Sequence, residues 1–200
     1  SIPFYFSIYN LSFLDSYFES ISGFTSTGFT IFENVKHLDE SLIIWRSSSQ
    51  WIGGLYFLFS IILLIDIFDN SLKKSLTNFL TFNTSETLKQ SSKILILYTL
   101  LTFLIFVFLN IFDFRIFDSF NLSMSLISSG GFLPVNDLSN VLNTNPKEII
   151  FALLMLVSFF SIFLSYNLLF VNKKNINFFQ EDIYLFLYFI ILIFLFFLLF

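Results

Sequence analysis

Long apolar runs alternate with polar stretches along this chain. They cover about Leu42–Phe68, Ile94–Phe112, Ile149–Val171 and Ile183–Phe200. Each is near or above the ~20 residues that a helix needs to cross a bilayer. Segments of another kind fall beside them. Residues 15–24 and 118–127 have helical spacing, but about ten residues cannot span a membrane, so each is expected to be a re-entrant helix enclosed by protein. Asp15 or Ser16 is the expected N-cap of the first, with Ser16-x-x-Glu19 as its capping box. Residues 1–14 read as an aromatic lead-in containing Pro3. Residues 30–41 read as a polar loop, and Pro146 as the first helical residue of the third run.

The two short segments are copies of one another. Leu14–Phe29 lies over Phe117–Phe132 at an offset of 103 residues without a gap. Asp-Ser opens both copies, hydroxyl residues precede glycine, and Gly-Phe closes both. A short helix, a hydroxyl-rich glycine turn and then a spanning helix is the pattern of a pore loop. Two copies imply a pore built from repeats.

Composition sharpens this picture. Hydrophobic residues make up 56% of the chain and charged residues 12%, too few to cover a water-facing surface. With no cysteine, disulfide and thiolate-metal chemistry are excluded. His37 is the one histidine, and it stands in a loop near Asp39 and Glu40, which is a poor metal site. No Ser-His-Asp, phosphate-loop or nucleic-acid motif is present, so no enzyme and no nucleic-acid partner are expected. The net charge of −4 says little about partners. No signal peptide is visible. Ser1 at the start and an apolar run reaching Phe200 lead us to expect a chain cut at both ends.

Lysines give the orientation. Lys73, Lys74, Lys89, Lys93, Lys173 and Lys174 lie in the loops after the first and third runs, against Lys36, Arg115 and Lys147 on the other side, with Arg46 at the boundary. The lysine-rich loops are therefore expected in the cytoplasm, and both glycine turns on the outer side.

Three stretches now carry a family resemblance. Phe18–Gly28 resembles the first pore helix and filter of the Trk/Ktr/HKT superfamily of potassium transporters, in its TrkH-like membrane subunits. Trp45-Arg46-Ser47-Ser48-Ser49-Gln50-Trp51-Ile52-Gly53-Gly54 resembles the start of that family's first post-filter helix, and Ser128–Phe132 its second filter. The resemblance implies an all-α membrane protein of repeated helix–pore loop–helix units around one ion path. It implies about one and a half of four repeats here. Residues 1–68 would be the pore helix, filter and second helix of repeat one, and 69–93 a cytoplasmic linker. Residues 94–171 would be repeat two, 172–182 a cytoplasmic loop, and 183–200 the truncated first helix of repeat three.

The filter strands are then Thr25, Ser26, Thr27 and Gly28, and Ser128, Ser129, Gly130 and Gly131. Potassium must shed water to pass selectively, and consecutive backbone carbonyls replace that water. Glycine tolerates the positive φ this needs, and neighbouring hydroxyls can hold the carbonyls inward. A Ser/Thr/Gly cluster alone would be only a loop. Both short helices would aim their negative C-terminal ends at the path, which favours a cation, with Asp15 and Asp118 as N-caps. Glu19 either attracts cations at the outer mouth or serves structure, capping Ser16 or pairing with Arg46. Arg46 is read as tying its helix to the pore loop, with Gln50 one turn further on. Gly53-Gly54 is read as allowing close packing against the filter, with a gating hinge as the sharper alternative. Asp66 and Asp69 are read as interfacial, and Asn167 as lining the path or bonding a neighbour.

The expected activity is potassium uptake through a filter of four loops, with no cofactor. The alternatives are a non-conducting scaffold or assembly subunit, and a transporter of another monovalent cation such as sodium. In the family, serine at the first filter glycine goes with sodium permeation in some plant members, and Gly28 is intact here. The resemblance implies a multi-pass protein of the cell (inner) membrane. Its expected partners are lipid, the remainder of its own chain, a second copy in a homodimer, and cytosolic nucleotide-binding regulatory subunits.

Overall fold

The structure is a computed structural model that describes residues 1–68, 84–170, 187, 188 and 191, with side chains over 1–60, 92–158 and those last three. The expectations for residues 69–83 and 172–182, for all of 183–200 except 187, 188 and 191, for Asp69, and for the side chains of Asp66, Asn167 and every lysine used for orientation except Lys36, Lys93 and Lys147 lie outside the described residues.

The described residues are helical, with no strand among them. In chain order the helices are α1 (Ile2–Tyr5), α2 (Phe13–Phe24), α3 (Glu40–Phe68), α4 (Thr84–Ile111), α5 (Ile116–Ile127) and α6 (Asn145–Phe170). Single 3₁₀ turns at Val35–His37 and Leu138–Asn140 shape the loops before α3 and α6. The stretch Ser92–Ile111 of α4 is long and apolar enough to cross a membrane, and most of it is uncovered by the rest of the molecule. At 1.5 Å per residue, the 29 residues of α3 make the longest rod among the described residues.

Both short helices begin earlier than their sequence pattern indicates. α2 is capped by Ser12, not by Asp15 or Ser16. The Ser12 hydroxyl accepts from the Asp15 amide at 3.1 Å and donates to the Asp15 carboxylate at 2.7 Å. The expected capping box does not form, because Ser16 is already inside the helix with its hydroxyl buried and unpartnered, and Glu19 bonds elsewhere. α5 starts after Arg115, so Asp118, like Asp15, lies in the first turn and is not a cap. Both aspartates still face the positive end of a helix dipole. Pro146 is the second residue of α6. α4 starts ten residues before the second apolar run, since residues 84–93 of the polar stretch are helical.

Packing is organised around α5, which is held by α3 on one side and by α4 and α6 on the others, while α2 lies against α3 and α1. The main core gathers Leu55 and Leu58 of α3, Tyr98, Ile105 and Leu109 of α4, and Leu122, Leu126 and Ile127 of α5. A smaller cluster of Phe4, Val35, Leu38, Leu42 and Ile43 seats the lead-in against the start of α3. Cross-links between α3 and α4 are polar. The Trp51 indole donates to the Thr102 hydroxyl at 2.9 Å, and the Tyr98 hydroxyl donates to the Trp51 carbonyl at 3.2 Å.

The close approach of α3 to both short helices depends on its glycine pair. A Cβ on Gly53 would strike the Phe24 carbonyl of α2, and one on Gly54 would lie 2.7 Å from the Ser128 side chain at the end of α5. Gly53→Leu is therefore expected to destabilise the protein by about 1–3 kcal/mol or more. The neighbouring Ile52→Leu, on an exposed face, should stay within about 0.5 kcal/mol. Thermal unfolding of the detergent-solubilised protein, read by fluorescence-detected size exclusion, checks the contrast.

Candidate functional site

Each short helix ends in the same turn. Thr25 caps α2 with φ −84° and ψ 3°, and Ser128 caps α5 with φ −83° and ψ −1°. The next residues, Ser26 and Ser129, are left-handed at φ 54° and 52°. The Ser26 amide donates to Gly23 and the Thr27 amide to Ser22. At the same offset of 103 residues, the Ser129 amide donates to Leu126 and the Gly130 amide to Ser125. This pair of bonds is the Schellman arrangement, which normally places glycine at the left-handed position. A serine there costs on the order of 1–2 kcal/mol, yet it recurs in both copies.

Side chains repeat as well. The Thr25 hydroxyl donates to the Ile21 carbonyl at 2.8 Å, and the Ser128 hydroxyl to the Met124 carbonyl at 2.9 Å. Ser22 and its equivalent Ser125 both reach forward into their turns but to different positions, Ser22 to the Phe29 carbonyl and Ser125 at 3.1 Å to the carbonyl of Gly130, the equivalent of Thr27. The copies differ in where glycine is needed. Gly28 takes φ +80°, while neither Gly130 nor Gly131 has positive φ.

Amides and carbonyls are used unequally in these turns. The amides from Thr25 to Gly28 and from Ser128 to Gly130 bond back into their own helices. Among the described residues, the carbonyls of Thr25, Ser26, Thr27, Gly28, Ser128, Ser129 and Gly131 accept no hydrogen bond. Backbone acceptors are rarely left without a partner. The two turns also meet. A Cβ on Gly28 would fall on the backbone of Gly131, and one on Gly131 would lie 3.2 Å from the Gly28 Cα. All eight residues expected as filter strands are thus gathered where two helix C-termini converge. Oxygens of this kind, at the negative ends of two helix dipoles, can replace the water of a cation.

The support comes from α3. Arg46, Gln50, Gly53 and Gly54 recur at helical spacing and form one stripe along it. The Gln50 side chain is fully buried, and its Oε1 accepts from the Ser125 hydroxyl at 3.1 Å and from the Phe132 amide at 3.3 Å. A Cβ on Gly130 would lie 2.5 Å from the Gln50 carboxamide, so glycine is required there for contact rather than for φ. On the other side, the Ser26 hydroxyl approaches the Gln50 carbonyl at 3.5 Å.

Arg46 and Glu19 form a buried ion pair, Nε to Oε1 at 2.9 Å. The Arg46 Nη2 donates to the Thr30 hydroxyl at 3.0 Å. That hydroxyl donates to Glu19 at 3.0 Å, and the Ile31 amide donates to Glu19 at 3.1 Å. The guanidinium lies over the Phe132 ring at 4.2 Å. Glu19 therefore serves structure through Arg46. His37 is exposed, and its backbone carbonyl accepts from the Tyr9 hydroxyl at 2.9 Å. At the start of α5, burial pushes the Asp118 carboxyl up from its ordinary value, and nearby Arg115 opposes that shift.

Sequence reasoning placed Gln50 beside Arg46 but did not see that it holds the second turn. It also assigned positive φ to glycine where serine carries it at Ser26 and Ser129. The signal available was the offset itself, which pairs Ser22 with Ser125 and Ser26 with Ser129.

No family model matches the chain. The chain is 33% identical over 181 residues to an uncharacterized cation transporter of Methanocaldococcus jannaschii, covering 84% of this chain and 36% of that protein. It is 28% identical over 180 residues to the Trk system potassium uptake protein TrkG of Escherichia coli, covering 87% of this chain and 37% of TrkG. The solved potassium transporter TrkH of Vibrio parahaemolyticus shares the fold with a TM-score of 0.61 at 23% identity, over 74% of this chain and 30% of that one. The chain spans about a third of the length of these relatives.

Gln50→Met removes the acceptor of the Phe132 amide and is expected to cost about 1–3 kcal/mol of stability. Ser125→Ala should cost less, since it leaves that amide bonded. Unfolding midpoints of the two variants in the same detergent give the comparison.

Proposed function

We propose, for a chain that belongs to the Trk/Ktr/HKT superfamily of cation transporters, that Thr25–Gly28 and Ser128–Gly131 are two strands of a potassium filter completed by further pore loops. The observation that carries this reading is the repeated turn in which the amides of Thr25–Gly28 and Ser128–Gly130 are bonded while the carbonyls, apart from that of Gly130, accept no hydrogen bond among the described residues. A filter needs carbonyls held still by the opposite edge of the same peptides, and bonding the amides back into α2 and α5 does that. The Thr25 and Ser128 hydroxyls pin the same peptides from their side-chain edge.

α2 and α5 are then re-entrant pore helices, enclosed by α3, α4 and α6 as membrane-crossing segments. Their lengths of 12 residues suit an element that enters and turns back. Their converging C-terminal ends lower the energy of a cation and raise that of an anion at the same point. Ions move through this path as substrate, and no group is transferred. The protein works in the inner membrane as a multi-pass uptake subunit. Its partners are lipid, a second copy of itself and cytosolic nucleotide-binding regulatory subunits.

Gly28 is the most sensitive position. Its φ of +80° strains any side chain, and its Cβ would force the Gly131 backbone away. The longest reading frame containing this chain, expressed in cells lacking potassium uptake, is expected to restore growth at low potassium. Gly28→Ser should lower rubidium uptake per inserted protein by about tenfold or more and weaken potassium over sodium preference. A membrane-inserted wild-type protein that carries no potassium, with and without a co-expressed regulatory subunit, would favour a non-conducting scaffold.

A further inference from the structure

A buried charge pair, Glu19 of α2 with Arg46 of α3, joins these helices, and the filter turns do not need it for hydrogen bonding. Glu19 and Arg46 are 0% and 1% exposed. A buried ion pair contributes little net stability, because desolvating both charges offsets their attraction, and an apolar pair of similar volume is often as stable. Arg46 Nη1 is in addition buried without a partner. Stability alone is therefore a poor reason for the pair.

Its position is more telling. Through Glu19 and Thr30, the guanidinium holds the chain just after Gly28. The Thr30 hydroxyl and the Ile31 amide both bond the carboxylate, and the Phe32 amide donates to Thr30 at 3.2 Å. Through its flat face, the same guanidinium holds Phe132, the residue directly after Gly131, with Cζ 4.2 Å from the ring centre. One planar group thus fixes the exits of both turns, which touch each other at Gly28 and Gly131.

The second copy has no such device. At the offset of 103 residues, Glu19 corresponds to Leu122, Thr30 to Leu133, Arg46 to Ile149 and Gln50 to Leu153. The pair is an addition to the repeat, placed where it can serve both turns at once. Because the two charges are opposite, the pair fixes geometry without adding a net charge beside the path.

We propose that the Glu19–Arg46 pair is a positioning element that sets cation discrimination by locking the two turns against each other. The proposal rests on the filter reading above. A carbonyl cage distinguishes two monovalent cations by small differences in oxygen placement and stiffness. Loosening the lock should therefore alter discrimination before it alters folding.

The test uses the full reading frame reconstituted in vesicles, with potassium and sodium fluxes normalised to inserted protein. The Glu19→Met/Arg46→Met double variant removes both charges together and keeps side-chain bulk. It is expected to elute as the wild type, to conduct, and to lose about tenfold in its potassium-to-sodium flux ratio. Arg46→Lys keeps the charge but lacks the planar fork and the stacking face, and should fall between the two. A double variant with the wild-type ratio overturns the proposal while leaving the filter reading intact. If the double variant does not fold, Thr30→Val decides, since with little change of shape it removes the hydroxyl that joins Arg46, Glu19 and the Phe32 amide and leaves the Ile31 amide as the carboxylate's remaining bond to the first turn's exit; an unchanged ratio there overturns the proposal. A wild-type protein that carries no cation overturns the filter reading, and this proposal with it.

Discussion

The structure depends on how closely one face of α3 approaches the ends of two short helices. Gly53 and Gly54 supply the room, and each is pressed by a different helix, Gly53 by the last carbonyl of α2 and Gly54 by Ser128 at the end of α5. Without lipid-phase hydrophobic attraction between helices, such contact depends on packing and hydrogen bonds. The adjoining Gln50 and Arg46 provide the bonds, so contact and polar attachment lie on one stripe. This stripe is where both turns are attached to one helix, while α4 and α6 hold α5 from its other sides.

The turns themselves are paradoxical as protein structure. Two serines hold left-handed backbone, and a row of carbonyls has no protein partner. Each feature is unfavourable by itself, and such features persist where the surroundings over-determine them. Here the surroundings are the Schellman bonds, the back-bonded hydroxyls and the Gln50 carboxamide. Their combined effect is to hold oxygens rigidly in an unsatisfied state. Rigid, unsatisfied oxygens at negative helix ends suit a cation that arrives without its water.

The two copies agree in backbone and differ in support. α2 and α5 share the Schellman bonds and the back-bonded Thr25 and Ser128 hydroxyls at their C-terminal turns, but the helices that follow them do not match in chemistry. α3 is polar where it meets the turns, whereas the corresponding positions of α6 are Ile149, Leu153, Leu156 and Val157. The turn is thus the conserved element within the chain, and its support is specialised. One post serves two turns.

Much of this was legible in the sequence. The ungapped repeat announces two equivalent short helices, and the shortness of each excludes a membrane crossing. The apolar runs announce the long helices, and Gly53-Gly54 announces a close approach. Helix starts were misplaced by two residues because Ser12, rather than Asp15 or Ser16, takes the cap. An aspartate in the first turn and an aspartate at the cap look alike in sequence, since both favour the positive helix end. The partners of Arg46, Gln50 and Gly130 were decided by the tertiary structure. Gln50 bonds Ser125 and Phe132 across 75 and 82 residues, and no local pattern encodes a contact between segments so far apart. Periodicity and repetition are properties of neighbouring residues and can be read along the chain. Which polar side chain satisfies which buried partner depends on how the helices settle against each other, and is fixed only when they pack.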